Sequence, residues 1–231
     1  MVGQSMRAAM FVLAVLVLIP LVLVPVYAFI DPVSVPMLVR QIQGRPVERI
    51  WRDAEGISDR LKAAVVMSED GQFCRHWGVD LGALRAEVDD FLAGKPARGA
   101  STITMQVARN LFLWNDRSYV RKVLEIPLAL YIDLILPKHR IFEIYINIAE
   151  WGPDGQFGIE AGTRAAFGKT ADALGWDEAS LLAVTLPNPM SRHAATPTTR
   201  LRRVADIVRK RAQEAEGRIA CLYAGRQPRL Q

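Results

Sequence analysis

The sequence predicts a mostly helical domain preceded by one membrane-spanning helix. Two observations carry that expectation. Beyond residue 45 almost every segment repeats apolar residues at helical intervals, and residues 8–30 contain no charged side chain. The only strand-like stretch is a short, β-branched and proline-interrupted piece around Val33 to Val47. A chain of 231 residues is one domain with additions, enough to bury a sizeable core. Its formal net charge of +5 favours anionic partners, whether nucleic acid, phospholipid headgroups or a phosphorylated substrate, without choosing among them. The two cysteines, Cys74 and Cys221, have no CxxC spacing, which argues against a zinc site or a disulfide framework. They read as two buried or free thiols, with a single bridge as the alternative if the folded part lies outside the cytoplasm.

A polar head, residues 1–7, leads into the expected span at 8–30. A spanning helix needs about 20 apolar residues, more than the ~7–15 of a signal-peptide core. Pro20 and Pro25 would kink it. A cleaved signal is the alternative, with Val26-Tyr27-Ala28 as a small-residue cleavage site. Arg7 favours a cytoplasmic N-terminus, while Arg40, Arg45, Arg49 and Arg52 after the span argue the other way. Those four open a folded segment that translocates largely regardless of charge. Residues 31–45, with Pro32, Pro36 and Gly44, read as an extended linker into a domain covering 46–231.

Within that domain Leu61, Ala64, Val65 and Ser68 mark a helix over Leu61 to Asp70, ended by Gly71. Glu69 falls on the apolar face, where an ordinary core helix would carry Leu or Ala. A carboxylate there is either a general base with a raised pKa or an acid paired with a buried arginine. The Gly-rich break at 94–99 precedes a helix with Ser101 as its N-cap. Ile103, Val107 and Leu111 form its apolar ridge, and Thr102, Gln106 and Arg109 a second, polar one that could bind something. Further on, Arg121 and Glu125 stand at i,i+4 and Lys122 and Glu125 at i,i+3. Alone this is a surface ion pair, but Ile126 to Leu136 is apolar apart from Asp133, so the cluster opens a buried helix. Lys138 to Glu150 puts Ile141, Ile144, Tyr145 and Ile148 on a buried face, with Glu143 and Asn147 alongside. Gly158 to Gly168 has the small residues of a closely packed helix, and Thr199 to Arg218 is a basic helix facing solvent or anionic lipid.

Taken together these residues resemble the peptidoglycan glycosyltransferases of family 51. The pattern E-D-x-x-F-x-x-H-x-G stands at Glu69, Asp70, Phe73, His76 and Gly78, and G-x-S-T-I-T-x-Q at Gly99 to Gln106. R-K-x-x-E follows at Arg121, Lys122 and Glu125, then K-x-x-I-x-E-x-Y-x-N at Lys138, Ile141, Glu143, Tyr145 and Asn147. The resemblance spans roughly Val47 to Pro189. With one span and no room for a transpeptidase domain, the chain is similar to the monofunctional Gram-negative members.

The resemblance implies a lysozyme-like fold of two lobes and polymerisation of lipid II, the lipid-linked disaccharide, into glycan strands with release of undecaprenyl pyrophosphate. Catalysis then falls on Glu69 and Glu125. Substrate binding falls on Asp70, Phe73, His76, Ser101, Thr102, Thr104, Gln106, Arg109, Asn110, Arg121, Lys122, Lys138, Tyr145 and Asn147. Arg109 stands where the family commonly has lysine, exchanging a point charge for a fork. The resemblance also implies a periplasmic catalytic domain on the bacterial inner membrane, with the growing glycan, membrane lipid and other cell-wall synthesis proteins as partners and no nucleic acid. No metal-ligand spacing is present, so a magnesium or manganese ion would be held through the substrate pyrophosphate. The rival readings are a lytic, lysozyme-like enzyme, which has no use for cations around a pyrophosphate, and a non-catalytic membrane-anchored scaffold.

Overall fold

The computed structural model describes residues 2–95, 99–116, 118–223 and 225–230, without the side chains of 2–5, 8, 9, 11–14 and 16. The break expected at 94–99 therefore lies partly outside the described residues. The helices are α1 (Val2–Val26), α2 (Val35–Ile42), α3 (Asp59–Glu69), α4 (Leu81–Leu92), α5 (Ile103–Phe112), α6 (Tyr119–Ile135), α7 (Lys138–Ile148), α8 (Ile159–Phe167), α9 (Trp176–Ala183) and α10 (Thr199–Gln213). Strands β1 (Glu48–Arg49) and β2 (Gln156–Phe157) pair in parallel. The mainly helical class is as expected.

Among the described residues no helix is long and apolar enough to cross a membrane. Within the span expected over 8–30, the side chains of 8, 9, 11–14 and 16 lie outside the description. The described end of α1 is tied to the domain, because the Tyr131 hydroxyl donates to the Leu21 carbonyl at 2.9 Å and Tyr27 stacks on Phe112.

Residues 31–45 are not the extended linker expected from their prolines. Ser34 caps α2 by accepting from the Met37 N–H, and Pro36 sits in the first turn, where its missing N–H costs nothing. Met37 and Arg40 are buried, so tertiary contacts hold this short helix. Arg40 donates to Glu150 at 3.0 Å, tying α2 to a residue two positions beyond α7.

Helix α3 packs against α9 and α10, and α5 against α6 and α7. Leu61, Ala64 and Val65 are buried as their spacing predicts, and so is the α7 face of Ile141, Ile144, Tyr145 and Ile148. Two glycines permit close approaches. A Cβ on Gly78, at φ +76°, would lie 2.4 Å from the Ala129 carbonyl oxygen on α6. One on Gly162 in α8 would lie 2.4 Å from the Trp151 Cβ. The basic helix expected to reach Arg218 stops at Gln213, and 3₁₀ turns follow at Glu216–Arg218 and Ala220–Leu222. Cys74 and Cys221 are joined in a disulfide across 147 residues of sequence, which overturns the expectation of two thiols.

Candidate active site

Glu69 is the last residue of α3, so its side chain leaves the packed helix where the ladder ends. Its Oε2 accepts from Gln106 Nε2 at 3.0 Å, and its Oε1 from the Ser68 hydroxyl at 3.3 Å. The Gln106 amide is in turn oriented by the Tyr145 hydroxyl, which donates to its Oε1 at 3.2 Å. Residues from α3, α5 and α7 thus form one chain of neutral hydrogen bonds ending on the carboxylate. Burial pushes the Glu69 carboxyl above the usual glutamate range; the Gln106 and Ser68 bonds and the charges of Arg109 and Arg192 pull it back without cancelling the effect. The residue keeps some exposed surface although protein surrounds most of its carboxylate, and it meets a cleft through Gln106, which lines that cleft. With one donor on each oxygen, lone pairs remain to accept a proton.

The cleft has a volume of 380 Å³, and Gln106, Arg109, Asn110, Arg121 and Tyr145 line it. Arg109 Nε is buried without a partner. Burial works against its charge, which Tyr145 and Glu69 favour. Such a guanidinium is left with donors to offer an anion. Arg121 is held in place by Nε donating to the Asp116 carbonyl at 2.9 Å and by an ion pair with the fully buried Glu125.

Several predicted site residues lie beneath the cleft rather than on its wall. Phe73, Thr104 and Asn147 are completely buried, with no surface for a ligand. Asn147 fixes the backbone at Arg52, accepting from its N–H at 2.9 Å and donating to its carbonyl at 2.8 Å. Asp70 accepts from the Ile103 N–H at 3.0 Å and meets His76 Nε2 at 3.0 Å, bracing the turn after Glu69 against the start of α5. Lys138 lies over the Phe73 ring at 4.5 Å and pairs with Asp133, so its charge is already used.

Two local expectations are corrected. Thr102, not Ser101, caps α5 by accepting from the Met105 N–H at 3.1 Å, and its hydroxyl donates to the Gly78 carbonyl at 2.6 Å. Thr102 is therefore not on the polar ridge, and Ser101 lies outside the helix. Lys122 does not join Arg121 at Glu125; it reaches across to Glu87 on α4 at 3.3 Å and does not line the cleft.

Other residues escaped the sequence reading. Asp116, Glu150 and Asn188 line the cleft, and Arg192, whose Nη1 donates to the Val184 carbonyl at 2.8 Å, acts on Glu69 by charge. None belongs to a periodic face. Among the described residues no group of three or more His, Cys, Asp or Glu side chains is placed to hold a metal.

The family model described as Transglycosylase matches residues 36–213. The chain is 52% identical over 201 residues to a biosynthetic peptidoglycan transglycosylase of Nitrobacter hamburgensis, covering 87% of this chain and 89% of that protein. It is 50% identical over 213 residues to one from Rhodopseudomonas palustris, covering 92% and 90%. It is 49% identical over 222 residues to one from Brucella suis, covering 95% and 99%.

Proposed function

The chain belongs to the transglycosylase family, and on that premise we propose that it is a peptidoglycan glycosyltransferase, polymerising lipid II with release of undecaprenyl pyrophosphate. The observation that carries the reading is Glu69: a buried carboxylate with raised proton affinity and free lone pairs, beside a cleft lined by Arg109 and Arg121. Glu69 takes the proton of the acceptor sugar 4-hydroxyl as that oxygen bonds to the donor anomeric carbon. The bond from that carbon to the pyrophosphate oxygen breaks, and the guanidinium groups of Arg121 and Arg109 offset the charge that leaves with it. Glu125, enclosed behind Arg121, acts by aiming that guanidinium. A magnesium or manganese ion, if used, is held by substrate pyrophosphate, with Asp116 as a carboxylate on the same wall.

The packing of α3 with α9 and α10, and of α5 with α6 and α7, supports a reading of two lobes, and the cleft is walled by α5, by Arg121 and Tyr145 and by residues 186–190. A membrane anchor at 8–30 keeps the domain beside its lipid-linked substrates. Supporting that placement, Leu81, Phe91 and Leu92 of α4 and Tyr119 and Val123 of α6 are exposed apolar side chains, with Phe91 edge-on to Tyr119. Trp114, just past the end of α5, is also exposed. Disulfides persist in oxidising compartments, so the Cys74–Cys221 bridge supports a periplasmic domain. Other cell-wall synthesis proteins are its expected neighbours there.

The test is incubation of the purified, detergent-solubilised chain with lipid II. Glycan polymer and free undecaprenyl pyrophosphate are expected. Cleavage of preformed glycan with no polymer would instead mean a lytic enzyme.

A further inference from the structure

The family match ends at residue 213, at the end of α10, yet the chain continues as an ordered segment with Ile219, Leu222 and Tyr223 buried. That segment is fixed to the first turn of the helix that presents Glu69 and to the turn that follows the helix. At the start of α3 the Tyr223 hydroxyl donates to Asp59 Oδ1 at 2.9 Å, and the Arg229 N–H to Asp59 Oδ2 at 2.8 Å. Lys62, one turn along, pairs with Asp59 at 2.9 Å and lies 5.0 Å over the Tyr223 ring. At the far end Cys221 is bonded to Cys74, with 5.6 Å between their Cα atoms. Cys74 sits between Phe73 and His76, in the turn that follows Glu69 and returns His76 to Asp70.

We propose that residues 214–223 and 225–230 are a strap that positions the turn after Glu69, and that its Cys74–Cys221 bridge is a modification site through which a dithiol reductant lowers polymerisation. The proposal rests on Glu69 being the base. Both cysteines are half-buried, so a thiolate can reach the bridge. The thiolate attacks one sulfur and forms a mixed disulfide; its second thiol displaces the protein cysteine. Cys74 and Cys221 gain two electrons and two protons, and the dithiol leaves as its own disulfide. With the bridge open, the turn keeps the Asp70–His76 contact and the Phe73 anchor but loses its covalent tie to the strap. Small misplacements of a reacting group cost up to about a hundredfold in rate. Looseness also admits water around Glu69, while Arg109 from α5, Tyr145 from α7, Arg192 after α9 and its neighbour Asp70 still face or adjoin it.

The experiment compares the oxidised full chain, the same protein after treatment with dithiothreitol, and the double variant Cys74→Ser/Cys221→Ser. Initial rate on lipid II, the pH profile of that rate, a thermal melt and amide hydrogen exchange over residues 69–78 are measured on each. Reduction is expected to lower the rate about ten- to a hundredfold and to move the acid limb of the profile to lower pH. The double variant should show both changes without reductant and respond no further. Tyr223→Phe, which keeps the bridge but drops the Asp59 bond, should slow the reaction to a lesser extent. A lowered melt with unchanged rate and unchanged acid limb would make the bridge merely structural and overturn the proposal, as would free thiols in the oxidised protein. If even the oxidised protein makes no polymer, the glycosyltransferase reading fails, and exchange decides for the strap alone: faster exchange at 69–78 on reduction sustains it, unchanged exchange overturns it.

Discussion

Glu69 and Glu160 are both enclosed glutamates, and their surroundings push them in opposite directions. Burial would raise Glu160 too, but Arg52 at 3.0 Å, the Ala171 N–H at 3.0 Å and Arg164 at 2.7 Å outweigh it, bringing its pKa to about 2. Glu69 receives only an amide and a hydroxyl, so burial wins and its pKa rises. Charged side chains bonded directly to Glu160 make it structural, while Glu69, with charges only at a distance and neutral donors in contact, is left available for proton transfer. The linkage to folding follows. Glu160 adds stability above the ordinary glutamate pKa, and this is lost as pH falls toward 2. Glu69 does the reverse: what it contributes below the ordinary value is lost as pH rises through its raised pKa.

The sharpest way to break the comparison is to neutralise each acid. Glu69→Gln should cost about a hundredfold or more in polymerisation rate, while its thermal melt at neutral pH stays level or rises because a strained charge is gone. Wild-type turnover would end its role as base. Next, Arg109→Ala should slow the reaction about ten- to a hundredfold, the worth of a charge-assisted contact of about 1.5–3 kcal/mol. Arg109→Lys, which restores a point charge, should recover much of that loss in a steady-state assay. Glu160→Gln should leave turnover intact and cost about 1–3 kcal/mol in a denaturant melt, since the buried Ala171 N–H loses its charged acceptor. That variant should also lose less of its stability than the wild type as pH falls from 4.5 toward 2. The smallest effect belongs to Ser68→Ala, which removes one weak donor. The Glu69 pKa should move further up, with less than about a tenfold change in rate at neutral pH. A downward shift would mean the hydroxyl favours the protonated form.

The helices were legible because their apolar spacing is local: Leu61, Ala64 and Val65 in α3 and Ile141, Ile144 and Tyr145 in α7 all lie where periodicity puts them. Glu69 stood out as a charge on such a face. What escaped depends on distant partners. Helix α2 is hidden by its prolines and stabilised by Met37 and by the Arg40–Glu150 pair. Lys122 has an acid at i+3 yet turns to Glu87 on another helix. Ser101 and Thr102 are adjacent hydroxyls, and the Gly78 carbonyl, 24 positions back, engages the second one. No spacing rule links Cys74 to Cys221.

The most direct test of the account is the pH dependence of initial polymerisation rate on lipid II for the wild type beside Arg109→Gln. Burial of Glu69 predicts a wild-type acid limb above the ordinary glutamate value, with the rate rising as pH passes through it. Removing the Arg109 charge, which favours the carboxylate, should move that limb further up. An acid limb at or below the ordinary glutamate value, indifferent to Arg109, would contradict the claim that Glu69 is a base set by burial.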